Sequence, residues 1–280
     1  MSDCDNALDP GCGHRLVYLK KNMEKTLLGS VDVDIQPNGL ATITFGHPSH
    51  NSLPGRLLKK LSTAITECGT HPEVRLILLK SEGDRTFCAG ASFDELAAIS
   101  DPQAGTEFFM GFANVINACR TCPRLIIGRV QGKTVGGGVG VASAVDYCLA
   151  TKFAAYRLSE LAVGIGPFVV GPAVERKVGL SAMSRLSMTP ARWYTASQGL
   201  EMGLYAEVLD SVEALDQAVA ALTTELLSYS TEAMAALKRV FWAGTEHWDT
   251  LLHERAMQSG TLVLTPAARK AITRFQEKNK

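Results

Sequence analysis

The chain has 280 residues, 46% hydrophobic and 20% charged, a composition that permits a sizeable buried core and excludes global disorder. Lys and Arg number 28, as do Asp and Glu, and this zero formal net charge argues against nucleic acid as the main ligand. No apolar run approaches the ~18 residues of a membrane span and the N-terminus lacks signal-peptide features, so we expect a soluble cytoplasmic protein with no membrane partner.

The N-terminal part of the chain divides into a polar segment and a hairpin. Residues 1–22 are polar and lack periodicity, so we expect a disordered extension before the folded core. Apolar residues then alternate over residues 31–35, which predicts a strand. The turn sequence Pro37-Asn38-Gly39 and a second apolar stretch over residues 40–45 complete a predicted β-hairpin.

Strands and helices alternate after the hairpin. Apolar spacing predicts helices over residues 55–68, 106–119 and 136–145, and strands over residues 74–79, 125–130, 146–150 and 204–209. A capping-box pattern, Ser92 to Glu95, starts a further helix just after Ala91. The pattern after residue 211 is helical, with segments over residues 214–227, 231–242, 246–259 and 266–275. This order predicts an α/β fold with a core over residues 23–210 and a helical C-terminal region over residues 211–280.

Two glycine-rich turns each follow a predicted strand and open a predicted helix. They are Phe87-Cys88-Ala89-Gly90-Ala91-Ser92 and Val135-Gly136-Gly137-Gly138-Val139-Gly140. A helix start presents unpaired N–H groups and the positive end of the helix dipole. If the N–H groups of Ala91 and Gly137 face one cleft, they would stabilise an oxygen that becomes negative during a reaction. The alternative is that both are ordinary strand-to-helix turns, with glycines for close packing.

A candidate acid/base, Glu160, lies past the second turn in the apolar segment Leu158-Ser159-Glu160-Leu161-Ala162-Val163-Gly164. Partial burial would raise its pKa toward neutral pH, where a carboxylate can both accept and donate a proton. Two oxyanion donors with one carboxylate indicate proton chemistry at the carbon beside an activated carbonyl. The alternative is a surface carboxylate, or one paired with Arg157 or Arg176.

Other motifs give no competing assignment. The glycine triplet fits neither the dinucleotide-binding nor the phosphate-loop pattern, and no serine lies in G-x-S-x-G. The six histidines show no ligand spacing, so no metal site is predicted. The seven cysteines, including the motif Cys119-Arg120-Thr121-Cys122, are interpreted as reduced structural thiols. Arg269, Lys270 and Arg274 of the last helix are interpreted as a solvated face, or alternatively as reaching a phosphate.

The ordered motifs together resemble the crotonase (enoyl-CoA hydratase/isomerase) superfamily over residues 30–210. Five segments carry the resemblance: His47-Pro48 through Asn51-Ser52-Leu53, Phe87 through Ser92, Val130-Gln131-Gly132 with the glycine triplet, Val145-Asp146-Tyr147, and Leu158 through Gly164. The resemblance implies a β-β-α spiral (superhelix) with C-terminal helices that associate into homotrimers or hexamers. It also implies an acyl-CoA substrate, with coenzyme A as part of the thioester and no separate cofactor.

The same resemblance implies the residues of the site. The thioester oxygen would be held by the N–H groups of Ala91 and Gly137, and Glu160 would be the catalytic acid/base. The adenine end of coenzyme A would lie against the backbone around Ala89 to Ala91. The implied coenzyme A-binding residues are Ser52, Ala89, Gly90, Ala91, Gly136 and Gly137.

Departures from the family pattern bear on the reaction. Family hydratases carry two catalytic glutamates; Glu160 matches one of them, and Gly140 stands at the position of the other. Ser92 stands where an acid commonly follows the oxyanion alanine, and the apolar residues 167–170 replace a glycine-rich segment. A single glutamate in a drier pocket favours isomerisation of an enoyl-CoA over hydration. Hydration, decarboxylation, hydrolysis and non-catalytic coenzyme A binding remain as alternatives.

Overall fold

The computed structural model describes residues 27–278, so the predicted extension over residues 1–22 lies outside the described residues. Its strands are β1 (Ser30–Ile35), β2 (Leu40–Gly46), β3 (Leu76–Ser81), β4 (Thr86–Cys88), β5 (Leu125–Val130), β6 (Lys133–Val135), β7 (Tyr147–Thr151), β8 (Tyr156–Arg157) and β9 (Glu207–Leu209). Its α-helices are α1 (Gly55–Thr70), α2 (Phe93–Ala98), α3 (Pro102–Thr121), α4 (Gly137–Ala144), α5 (Gly171–Met188), α6 (Ala196–Met202), α7 (Val212–Leu227), α8 (Thr231–Phe241), α9 (Trp248–Leu262) and α10 (Pro266–Lys278). A 3-10 helix over Glu160–Val163 lies between β8 and α5. Within residues 27–278 no helix is long and apolar enough to cross a membrane.

A six-stranded sheet with the order β1-β2-β3-β5-β7-β9 forms the centre of the fold. The predicted hairpin is present, because β1 and β2 pair in antiparallel fashion with Ser30 opposite Gly46 and Ile35 opposite Ala41. The remaining neighbours in this sheet pair in parallel. Parallel neighbours need crossover connections, which the helices between the strands supply. The predicted α/β class is therefore confirmed.

A second sheet consists of three short parallel strands, β4, β6 and β8. Strand β4 ends at Cys88 and β6 ends at Val135, so each leads directly into one of the glycine turns. Parallel strands place their carboxyl ends at the same edge, which brings the two turns side by side. The three strands have only two or three residues each, too few for a period-two pattern, and the sequence did not predict this sheet.

Three helices depart from the sequence expectation, and one of them, α6 (Ala196–Met202), was not predicted. Helix α3 begins at Pro102 rather than at residue 106, because the Asp101 side chain accepts a hydrogen bond from the Ala104 N–H at 2.9 Å and proline suits the first helical position. Helix α5 was not predicted, since Gly179, with φ of +77°, interrupts its helical pattern.

The predicted capping box at the start of α2 forms only in part. The Ser92 hydroxyl oxygen accepts a hydrogen bond from the Glu95 N–H at 3.3 Å, as expected. The Glu95 carboxylate accepts instead from the N–H of Gly55, the first residue of α1, at 2.8 Å. The Glu95 carboxylate thus ties α2 to α1.

Both faces of β3 are buried, which explains its continuous apolar run. Ile77 and Leu79 belong to the larger core with α1, α3 and α4, whereas Leu76 and Leu78 point into a second core. Leu215 of α7 and Met234 of α8 complete that second core. Helices α7 to α10 lie where the sequence predicts helices, and at least two of them pack directly on the sheet.

A buried ion pair fixes α8 to the start of β7. The side chains of Asp146 and Lys238 are each 3% exposed, and Lys238 Nζ donates to Asp146 Oδ2 at 2.7 Å. Trp242 Nε1 donates to Asp146 Oδ1 at 2.8 Å, and the Ile126 N–H donates to Oδ2 at 2.7 Å. Because three donors satisfy this carboxylate, removing it would leave the lysine charge buried and uncompensated.

Candidate active site

The two glycine turns touch each other through their backbones. A Cβ placed on Gly90 would lie 3.1 Å from the carbonyl oxygen of Val135 and 3.8 Å from the amide nitrogen of Gly137. Gly90 has φ of +90° and Gly136 has φ of +52°, a region that favours glycine. The sequence FCAGAS therefore needs glycine at this position both for its own conformation and for the neighbouring turn.

The two predicted oxyanion donors occupy neighbouring positions in these turns. Gly137 is the first residue of α4, so its N–H has no acceptor within the helix. Ala91 forms a parallel bridge with Leu53, whose N–H donates to Gly90 O at 2.8 Å. Among residues 27–278, neither the Ala91 nor the Gly137 N–H donates to a backbone carbonyl. Ala91 and Gly137 are partly exposed, whereas Gly90 and Gly136 are buried.

Glu160 lies directly beside the second glycine turn. A Cβ on Gly136 would be 3.1 Å from Glu160 Oε1. The carboxyl group therefore lies against Gly136, the residue that precedes Gly137 in the chain. Glu160 is the first residue of the 3-10 helix. The alternative of an arginine partner is not realised, since the guanidinium of Arg157 lies 4.5 Å from the Trp193 ring centroid and that of Arg176 lies 5.4 Å from the Trp242 ring centroid.

The environment of the Glu160 carboxyl group favours its neutral form. Oε2 is buried and has no hydrogen-bond partner within the described part of the chain. Desolvation by burial raises the pKa of Glu160 to about 7, against an opposing contribution from hydrogen bonds donated by its own N–H and that of Ser159. A carboxyl group with this pKa is populated in both protonation states near neutral pH and can accept or donate a proton.

An apolar side chain lies against Gly140, the position at which the family resemblance predicts the second glutamate of a hydratase. A Cβ on Gly140 would lie 2.7 Å from the Cβ of Val170, closer than such atoms approach in proteins. Val170 is 4% exposed and sits at the start of α5, so its side chain fills the space that any side chain at position 140 would need. The ring of Phe112 packs against Gly137 in the same manner. The apolar segment noted in the sequence thus borders the site.

The segment before α1 runs along the first glycine turn. The Ala89 N–H donates to His50 O at 3.2 Å, and the Ser52 hydroxyl lies 3.0 Å from Nδ1 of His47. Asn51, with φ of +56°, donates through Nδ2 to Glu82 O and Thr86 O at 2.7 and 2.8 Å. The sequence analysis did not predict that Asn51 anchors this segment. The only signal in the sequence was that Asn51 stands next to Ser52 in the motif. The contacts of Ser52 and Ala89 with coenzyme A stay predictions.

Two open surface grooves lie away from these residues. One, of about 480 Å³, lies between α1 and α3, and the other, of about 970 Å³, lies beside the hairpin turn and Arg75. Neither groove is lined by Ala91, Gly137 or Glu160.

Two candidate backbone donors thus lie beside a buried carboxyl group, an arrangement that could stabilise an oxyanion next to a proton-transfer step. A family model described as enoyl-CoA hydratase/isomerase matches residues 36–280 of this chain. The chain is 26% identical over 265 residues to the ethylmalonyl-CoA decarboxylase of Gallus gallus, covering 92% of this chain and 88% of that protein.

Solved structures agree with the family model. The crystal structure of an enoyl-CoA hydratase from Mycobacterium avium matches with a TM-score of 0.78 and 26% identity, covering 89% of this chain and 96% of that one. The enoyl-CoA hydratase from Bacillus halodurans matches in fold with a TM-score of 0.80 at 21% identity, covering 87% and 99%. The protein belongs to the enoyl-CoA hydratase/isomerase family, and the predicted crotonase fold is confirmed. It is a crotonase-family acyl-CoA enzyme.

Proposed function

We propose that this enzyme forms a thioester enolate with one acid/base, Glu160, and moves the double bond of a 3-enoyl-CoA to the 2-position. One observation carries the proposal. The Glu160 carboxyl group lies buried beside the candidate oxyanion donor Gly137, while Val170 fills the place of a second carboxylate at Gly140.

The proposed reaction uses the oxyanion donors first. The thioester oxygen accepts hydrogen bonds from the N–H groups of Ala91 and Gly137, and negative charge develops on this oxygen as the C2 proton leaves. Each such donor contributes on the order of 10²–10³ in rate. The Glu160 carboxylate takes the C2 proton and, as the neutral acid, returns it at C4. A pKa of about 7 suits both halves of this transfer.

Hydration is disfavoured by the apolar side chain that lies against Gly140. Addition of water at C3 needs a water molecule held between polar groups that accept and donate its protons. Glu160 can hold one side, but the side at Gly140 presents the isopropyl group of Val170. An isopropyl group offers the water no hydrogen bond, so the water would bind weakly and in many orientations.

Decarboxylation is the second candidate, favoured by the 26% identity to the Gallus gallus ethylmalonyl-CoA decarboxylase. Loss of carbon dioxide from a malonyl-type thioester also leaves a thioester enolate, with its electron pair shared between C2 and the thioester oxygen. Neutral Glu160 would then donate a proton to C2. The two reactions use the same residues but require opposite starting protonation states of Glu160.

The test compares three thioesters, 3-hexenoyl-CoA, ethylmalonyl-CoA and crotonyl-CoA, with the wild type, Glu160→Gln and Glu254→Gln. Glu254 is exposed on α9 and serves as the matched control. We expect conjugated enoyl-CoA from 3-hexenoyl-CoA, a loss of about 10²-fold or more in kcat with Glu160→Gln, and no change with Glu254→Gln.

Other outcomes separate the alternatives. Release of carbon dioxide from ethylmalonyl-CoA without isomerisation would establish the second candidate. Faster hydration of crotonyl-CoA than isomerisation would refute the argument from Val170. Coenzyme A binding without turnover of any thioester would identify a non-catalytic binding protein, and turnover unaffected by Glu160→Gln would remove Glu160 from the chemistry.

A further inference from the structure

Two consecutive residues of the last helix, α10, contact the end of the 3-10 helix that Glu160 begins and the C-terminal end of α2. Ala268 packs against Gly164, which ends the 3-10 helix that Glu160 begins. Arg269 donates hydrogen bonds to the end of α2, the helix that starts directly after Ala91. The first contact is with residues 160–165, called the Glu160 turn below. The second is with α2, which continues directly from residues 87–92, called the Ala91 turn below.

Arg269 caps the C-terminal end of α2. Its Nη1 donates to Ala97 O at 3.1 Å, and its Nη2 donates to Ile99 O. The last carbonyls of a helix have no donor within the helix, and a cation there also complements the helix dipole. The sequence interpretation of Arg269 as a solvated residue is therefore wrong, whereas Lys270 and Arg274 are exposed as expected.

Ala268 fixes the other half by close backbone approach. A Cβ on Gly164 would lie 2.6 Å from the Cα of Ala268, so only glycine allows this contact. Gly164 has φ of +81°, and the next residue, Ile165, donates its N–H to Glu160 O at 3.2 Å. The backbone of α10 thus packs directly on the turn that holds Glu160.

A small apolar cluster surrounds the two contacts and is separate from the two cores of the sheet. Its buried members come from α2, the Glu160 turn and the C-terminal helices: Leu96, Ile99, Val163, Ile165, Val263 and Ile272. At its edge the rings of Phe93 and Phe275 stack with centroids 4.0 Å apart. Because α2 and the Glu160 turn share this cluster, loosening α10 would loosen both together, and α2 leads directly back to Ala91.

We propose that Arg269 is a positioning residue that, through α10, holds the Glu160 turn and the Ala91 turn in one fixed arrangement. This inference rests on the proposed role of Glu160 as acid/base. Loss of the two hydrogen bonds would free α10, admit water to the Glu160 carboxyl group and let the oxyanion donor shift relative to it. Misplacement of reacting groups by about 1 Å costs up to ~10² in rate.

The experiment compares Arg269→Met with Arg274→Met, an exposed arginine on the same helix. Hydrogen exchange of the full-length protein is measured first. Arg269→Met is expected to speed amide exchange about tenfold in both residues 93–99 and residues 160–166, and Arg274→Met in neither. Turnover of the substrate found for the wild type is then expected to fall on the order of tenfold in kcat with Arg269→Met, with KM nearly unchanged.

The pH profile distinguishes positioning from mere stability. With Arg269→Met the apparent pKa in kcat/KM should fall from about 7 toward the ordinary value of 4.5, because the carboxyl group becomes hydrated. If Arg269→Met does not fold, Arg269→Lys takes its place, because lysine keeps the charge but cannot donate to both carbonyls in the geometry of the guanidinium group. The changes in exchange, kcat and apparent pKa are then expected in the same direction but smaller.

Two results would overturn the inference. Faster exchange confined to residues 93–99 would show that α10 does not couple the two turns. If exchange becomes faster in both residues 93–99 and residues 160–166 but kcat and the pH profile stay unchanged, the coupling does not position Glu160. Should the wild type convert none of the thioesters, the proposed function fails, while the exchange comparison still decides whether α10 couples the two turns.

Discussion

The buried carboxyl group of Glu160 should make the protein less stable at high pH, and Glu160→Gln should remove that cost. Burial raises its pKa from 4.5 to about 7 in the folded state, whereas the unfolded chain keeps the ordinary value. The stabilising contribution of the neutral carboxyl group is complete below pH 4.5 and is lost as pH rises through about 7. The difference between the two pKa values corresponds to ~3 kcal/mol.

Glutamine stays neutral, so Glu160→Gln should gain up to ~3 kcal/mol over the wild type at pH 8 and little near pH 4.5. For a chain of this size that gain raises Tm by about 5 °C. Urea unfolding of both proteins across this pH range measures the difference, with Glu254→Gln as control. A stability difference that does not change with pH would refute the conclusion that Glu160 is buried and neutral in the folded protein. Glu160→Gln should also lose turnover while it gains stability.

Four further outcomes are expected. If Glu160 is the base of an isomerase, kcat/KM rises with pH and becomes constant above about pH 7. If Glu160 is the proton donor of a decarboxylase, kcat/KM falls above about pH 7. Stopped assays from pH 5 to 9 separate the two. Asp146→Ala should cost about 3–5 kcal/mol in urea unfolding because it strands a buried lysine, against less than ~1 kcal/mol for Asp249→Ala, whose side chain is 71% exposed. Gly140→Ala should destabilise by about 1–3 kcal/mol through overpacking, and adding Val170→Gly should cost less than the sum of the two single changes in the same assay. The apolar side chains exposed on α5 and α8 should be covered by other copies, so light scattering should give three or six times the 30.0 kDa chain mass, and a monomer would contradict the predicted association.

The sequence predicted those parts of the fold that have strong local causes. Alternation over residues 31–35 with an Asn-Gly turn sufficed for the hairpin, since both signals act over a few residues. The glycine turns were recognisable because Gly90 and Gly136 adopt positive φ at the ends of strands. The placement of Glu160 beside the second turn was predicted from the family resemblance. The hydrophobic periodicity of the sequence does not predict it.

What the sequence could not predict depends on contacts between distant residues. The contact of Val170 with Gly140 joins positions in different helices, and only the folded chain shows that one side chain fills the other's space. The role of Arg269 depends on carbonyls more than a hundred residues away, so an arginine on a polar helix face gave no local sign of burial. The three strands of the small sheet were too short to carry a pattern.

The contact between Val170 and Gly140 also restricts how this site can change over generations. An acid introduced at position 140 meets the valine and overpacks the interior, so the first step is harmful on its own. A small residue introduced at position 170 leaves a void, so that first step is harmful as well. Each change is therefore tolerated only together with the other. Conversion of this pair to the two-carboxylate arrangement requires both substitutions, because either one alone destabilises the fold.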